Sequence, residues 1–411
     1  MKTFKFTLKV WSSIAFILLA LSFTAVPAEA RNDGGKAKYI FLFIGDGMGA
    51  SHVAAAESYL SYKAGKLGGE QLTFTQFPVL GMATTYSADR NITCSSAAGT
   101  AISCGVKTKN GYLGVDSEGN KLESIAYKLK KEGYNIGIMS SVPINHATPA
   151  AFYANSLDRD SYYDISQQIP QSGFDFFAGD GFLDYYGKSG NEEPISEFLE
   201  ENGATLCFSE EEYNEEKDGA KQMILCQPSS KEHDAEAYTT DAAQGSDFSL
   251  SEMLTTCMDF IGDSKPFFIM CEGGDIDWAA HDNKTMPMID NIMNFNGAID
   301  VAYEFYRKHP DQTLIVVTAD HETGGVALGG PAGKSKRGDM IFWDVYEESA
   351  ASGEEPDAKE NTDLNLKANI GWTTTGHTGA PVPVYSIGKG AERFAGRMDN
   401  TEISRKIMYM E

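Results

Sequence analysis

Apolar residues fall in short, nearly unbroken runs and seldom alternate with polar ones. Tyr39–Ile44, Asn135–Met139, Pro266–Cys271 and Thr313–Thr318 are such runs. A continuous apolar strand predicts burial on both faces of a parallel sheet. Helical periodicity lies between the runs, from about Ala50 to Ala64, from Leu122 to Lys131, and along the amphipathic stretch Met288 to His309. Strands alternating with helices predict an α/β fold whose central, mostly parallel sheet is flanked by helices on both faces. No internal repeat is visible. The polar stretches 192–249 and 329–371 are expected to be surface insertions.

Three of the runs lead to acids. Tyr39–Ile44 ends in Gly45-Asp46-Gly47, Pro266–Cys271 in Glu272-Gly273-Gly274, and Thr313–Thr318 leads to Asp320-His321. Ligands bind at the carboxyl ends of strands in open α/β sheets, so separate segments are expected to deliver acids and imidazoles to one edge. Asp277 and His281 are four apart, which on a helix or tight loop puts carboxylate and imidazole on one side, as zinc ligation needs. A solvated i,i+4 pair fits the same spacing. Neighbours on a strand point oppositely, so Asp320 and His321 can both ligate only where the backbone turns, and Gly324-Gly325 make a turn reasonable. His377 lies in a small-residue loop, Thr375-Gly-His-Thr-Gly379. Taken singly, each of these histidines also fits a structural role; His52, His233 and His309 read as ordinary. Carboxylates and imidazoles without thiolates suit zinc together with magnesium or manganese.

The segment Thr93–Ala101 is small and helix-prone after a loop, which puts Ser95 at a helix N-terminus, where free N–H groups and the dipole favour an anion. An ordinary N-cap serine is the alternative. No G-x-S-x-G elbow occurs, and the Gly-Asp-Gly-Met-Gly segment is no P-loop because no Gly-Lys-Ser/Thr follows.

Composition narrows the classes. The chain of 411 residues is 42% hydrophobic and 22% charged, which is globular. Its net charge of -24, with no polybasic stretch, argues against a nucleic-acid partner. It also means that an anionic substrate needs a strong local positive centre. Lys2, Lys5 and Lys9, the apolar run Val10–Val26 and Ala28-Glu29-Ala30 read as a signal peptide cleaved after Ala30. Export is the implied destination, and no later segment is long and apolar enough to span a membrane. Export permits disulfides, and Cys207 and Cys226 could staple the polar stretch between them. The other four cysteines sit in or beside apolar runs and read mostly as buried thiols.

Six segments together resemble the alkaline phosphatase family across nearly all of the chain beyond the leader: Ile44-Gly-Asp-Gly-Met-Gly49, Cys94-Ser95 through Gly105-Val-Lys-Thr108, Ala147-Thr-Pro-Ala-Ala151, Glu272-Gly-Gly-Asp-Ile-Asp277 with His281, Thr318-Ala-Asp-His-Glu-Thr-Gly324, and Gly376-His-Thr-Gly379. The resemblance implies an alkaline-phosphatase-like fold in a single catalytic domain, 31–411. It implies hydrolysis of small phosphate monoesters with two Zn2+ and one Mg2+. Ser95 matches the nucleophile that becomes phosphoserine. Asp277, His281 and His377 match the ligands of the first zinc, and Asp46, Asp320 and His321 those of the second. Asp46, Thr148 and Glu272 match the magnesium site, and Arg159 the phosphate-gripping arginine. A homodimer is common in the family.

Three positions depart from the enterobacterial pattern. Cys94 stands where an aspartate helps to orient the arginine, and His146 and Trp278 stand where an aspartate and a lysine lie near the third metal and phosphate. Weaker phosphate inhibition is therefore expected. A diesterase of the same superfamily and a non-catalytic phosphate or metal binder are the alternatives. A sulfatase is disfavoured because Cys94-Ser95-Ser96 lacks a C/S-x-P-x-R context, and the presence of both Ser95 and Arg159 argues against a mere binder.

Overall fold

The computed structural model describes residues 35–232, 247–329, 340–351, 353 and 355–409. The expected leader and His233 lie outside the described residues, as does part of each expected insertion. Gly34–Glu411 forms one compact unit.

Fourteen strands occur among the described residues: β1 Tyr39–Gly45, β2 Val79–Thr84, β3 Asn135–Ser140, β4 Phe176–Gly179, β5 Thr205–Cys207, β6 Met223–Cys226, β7 Phe267–Gly273, β8 Thr313–Thr318, β9 Glu322–Thr323, β10 Ala327–Leu328, β11 Ile370–Gly371, β12 His377–Thr378, β13 Val382–Gly388 and β14 Gly396–Asp399. Ten of them form one sheet in the order β14-β2-β13-β8-β1-β7-β3-β4-β6-β5. Only β13 runs against the rest, pairing antiparallel with β2 and β8. The four apolar runs predicted as strands are β1, β3, β7 and β8, and they lie side by side at the centre, every residue of β1, β7 and β8 buried.

Alternation along these strands feeds two layers. Phe41 meets Phe305, and Phe43 meets Phe295, both on the helix Thr285–Lys308. Phe267 also faces Phe305, whereas its neighbour Phe268 faces Phe152 on the other side of the sheet. Helices therefore cover both faces, as the sequence pattern predicts.

Within the acidic stretch expected at the surface, Thr205–Cys207 and Met223–Cys226 add two strands to one end of the sheet, and the latter is wholly buried. Acidic residues around them, such as Glu210, Glu211 and Glu212 at a helix start, dominate the composition and hide these short apolar segments. All six cysteines are free thiols. The Cys207–Cys226 staple does not form: the register pairs Cys207 with Leu225, so Cys226 alternates to the opposite face.

Candidate active site

β1 lies between β7 and β8, with Ile44 level with both Glu272 and Thr318. That register brings Asp46, Glu272, Asp320 and His321 to one sheet edge. Asp320 follows the end of β8 at a bend, and Gly324 and Gly325 turn the chain at positive φ. Asp320 and His321 are thereby freed from strand alternation. Asp277 and His281 sit on the helix Asp275–His281, with His281 Nε2 3.2 Å from Asp277 Oδ2. β12 pairs with β9 and sets His377 opposite Thr323.

The three imidazoles share one arrangement. His281 Nδ1 lies 2.6 Å from the Thr375 carbonyl, His377 Nδ1 2.9 Å from the Thr93 carbonyl, and His321 Nδ1 3.2 Å from Thr323 Oγ1. These acceptors hold a proton on Nδ1 and turn each Nε2 toward the acids, where it would offer its lone pair to a bound cation. His281 Nε2 and His377 Nε2 are 3.1 Å apart. His321 Nε2 lies 3.2 Å from Asp320 Oδ2 and 3.5 Å from Asp46 Oδ1. Two ring nitrogens facing each other beside carboxylates need a proton or a metal cation between them.

The electrostatics agree. Burial, then the charges of Asp320, Asp277 and Glu272, push Asp46 well above the usual carboxylate range. Burial, then Asp277, raises Asp320 to about 7. Burial raises Glu272 to about 8 against the hydrogen bond from Ser140. Asp277 is also buried, yet the hydrogen bond from His281 and the charges of His321, His281 and His377 hold it well below the ordinary value. The hydrogen bond to Asp277 raises His281 to about 9, so the field there favours a positive charge. Asp46 Oδ1, Glu272 Oε1 and Asp320 Oδ2 are buried with no hydrogen-bond partner. Such groups are costly unless a cation answers them.

Three donor groups result, their ligand atoms lying within 4.8 Å of one another: Asp277, His281 and His377; Asp46, Asp320 and His321; and Asp46, His146 and Glu272. Oxygen and imidazole donors without thiolate fit zinc and magnesium. Thr148 Oγ1 is 3.3 Å from Asp46 Oδ2, and so stands beside the third group.

Ser95 opens the helix Ser95–Cys104 after Cys94, and its Oγ lies 3.2 Å from His321 Nε2. Arg159 donates from Nη2 to His146 Nε2 at 3.1 Å, and its backbone N–H donates to the Gly111 carbonyl at 2.9 Å. Burial, then the Arg159 charge, lowers His146 to about 3, which keeps its ring neutral. Cys94 Sγ accepts the Gly111 N–H at 3.2 Å, so Cys94 and Arg159 hold the same loop residue. Trp278 meets the His146 ring edge-on, centroids 5.7 Å apart.

The candidate metal ligands, Ser95, Arg159, Cys94, His146 and Trp278 therefore lie together at this edge. Sequence reasoning missed Thr323, whose hydroxyl donates to Asp277 and meets His321 Nδ1. It also missed Gly47, at φ +70, where a Cβ would come within 2.8 Å of Asp277 Oδ1 and Thr323 Oγ1. The glycine-rich segment around Asp46 was the available signal for the latter.

Comparison with known proteins gives the same answer. An alkaline phosphatase family model matches residues 37–184 and 230–411. Alkaline phosphatase 3 of Bacillus subtilis is 31% identical, with 97% of this chain and 95% of that protein covered. Alkaline phosphatase 4 of the same organism is 29% identical over 92% of this chain and 90% of that protein. The alkaline phosphatase structure from the Antarctic bacterium TAB5 superposes with a TM-score of 0.71 at 29% identity, covering 91% of this chain and 97% of that one. The chain thus belongs to the alkaline phosphatase family and is a metal-binding hydrolase of phosphate monoesters.

Proposed function

We propose that hydrolysis runs through a covalent phosphoserine on Ser95. Asp277, His281 and His377 would hold one zinc, and Asp46, Asp320 and His321 the other. Asp46, Glu272 and Thr148 would hold magnesium, with His146 near enough to join them. When bound, the metals supply positive charge that favours the serine alkoxide and balances the phosphate oxygens. The free N–H groups at the start of the helix Ser95–Cys104 add to that field. Arg159 offers two N–H groups to two phosphate oxygens, a planar fork that lysine lacks. Ser95 releases its hydroxyl proton to solvent as Oγ bonds to phosphorus, the bond from phosphorus to the alcohol oxygen breaks, and the alcohol leaves with a proton from solvent. Water then attacks the phosphoserine, releasing phosphate and returning a proton to Ser95 Oγ.

The observation carrying this reading is the 3.2 Å approach of Ser95 Oγ to His321 Nε2, beside buried carboxylate oxygens that lack partners. A histidine-to-aspartate variant of the TAB5 enzyme has magnesium bound in its M3 site, whereas the third group of this chain includes a histidine, His146. Ser95→Ala should lose at least about 10³-fold in kcat/KM on p-nitrophenyl phosphate while keeping its metals. Retention of activity within tenfold of wild type would overturn the serine's role. The charged and apolar stretches of the first thirty residues support export; among the described residues, no helix is long and apolar enough to cross a membrane.

A further inference from the structure

An open recess of about 480 Å³ lies beside the site, lined by Arg90, Ile92, Cys94, Asn110 and His377 among others. Its place follows from the chemistry. Ser95 Oγ stands at His321, in the fully buried group, whereas His281 and His377 are 37% and 16% exposed. In-line displacement puts nucleophile and leaving group at opposite apices of phosphorus. The alcohol therefore departs toward the side of His281 and His377, and His377 lines the recess.

Its wall is held in place before any substrate arrives. Asn110 Nδ2 donates to the Ile92 carbonyl at 3.0 Å, and Asn110 Oδ1 accepts the Cys94 N–H at 3.2 Å. Asp89 Oδ1 accepts the Asn110 N–H at 3.0 Å, and the Arg90 carbonyl accepts the Ser87 N–H at 3.0 Å. The Asn110 amide and His377 Nδ1 are thus committed to the backbone. Arg90 is different. Its side chain is 66% exposed, and its ion pair with Asp89 is loose, at 3.6 Å. It is the one lysine or arginine among the described residues lining the recess.

We propose that this recess is a leaving-group subsite in which Arg90 selects phosphate monoesters whose alcohol carries a second anionic group. The proposal rests on Ser95 being the nucleophile. On a chain of net charge -24, an anionic alcohol is repelled at long range, so one local guanidinium on its path discriminates between substrates. The test compares 3-phosphoglycerate, whose alcohol bears a carboxylate, with glycerol 3-phosphate, whose alcohol is neutral. The readout is the ratio of their kcat/KM values in wild type, Arg90→Ala and Arg90→Lys. Arg90→Ala should lower the ratio about threefold, the size expected of one exposed ion pair. Arg90→Lys should largely keep it, and high salt should erase the difference. A ratio unchanged in Arg90→Ala overturns the subsite and leaves the hydrolytic reading intact. A wild-type enzyme inert on both esters overturns the subsite, and Ser95→Ala retaining activity within tenfold of wild type on p-nitrophenyl phosphate separately overturns the reading on which it rests.

Discussion

Asp277, which is buried, and Asp180, which is half-buried, show how surroundings decide what an acid does. Asp277 is answered by histidines and stays ionised, whereas at Asp180, beyond the end of β4, burial and then the charge of Asp247 raise the carboxyl to about 6. An acid whose folded pKa exceeds its unfolded value of about 3.9 is neutral in both states at low pH and costs nothing there. As pH rises from about 4 toward 7, the unfolded chain gives up the proton first, so stability falls across that window and then levels off. Asp180→Asn removes the effect. The variant should match wild type near pH 4 and exceed it by about 1–3 kcal/mol above pH 7. Urea denaturation across this range measures the difference, and a constant offset at all pH values would contradict the argument.

Elements of only two residues do much of the positioning. β9 and β12 pair Thr323 with His377 and Glu322 with Thr378, so the ligands His321 and His377, from segments far apart in the chain, are set beside each other. Glu322 fastens the ribbon by accepting from Thr378 Oγ1 and, at 2.8 Å, from the Gly325 N–H. Glu322→Ala should free the loop that carries His377 and weaken metal binding there by about 10–100-fold, while Glu322→Gln keeps most of it. Chelator competition measures the affinity; equal metal release from both variants and wild type would exclude this role. Little of this was legible in the sequence, because Glu322 and Thr323 are polar residues whose partners, Thr378 and Asp277, arrive from distant segments. By contrast β1, β3, β7 and β8 were legible, since burial on both faces leaves no polar position to interrupt the run. His146 was half legible. Its residue type allowed ligation, but only the fold brings it within 4.8 Å of Asp46 and Glu272.

At the scale of the molecule the fold concentrates negative charge where three central strands end. Asp46, Glu272, Asp277 and Asp320 are all buried, in a chain already at -24. Arg159 and His281 supply the nearby positive charge, while burial lowers His321 and His377 away from the protonated form. Sheet and helices hold these acids together against mutual repulsion, so bound cations would belong to the stability of the whole unit as well as to its chemistry. A ligand that binds only the folded state raises its stability in proportion to the logarithm of its concentration over Kd. Removing metal should therefore lower Tm by at least about 5 °C. Calorimetry before and after exhaustive chelation, with metal content measured on the same samples, tests this. Adding zinc and magnesium back should restore Tm together with phosphatase activity. An unchanged Tm in verified metal-free protein would mean that the carboxylates are accommodated as neutral acids and that the fold does not depend on cations at this edge.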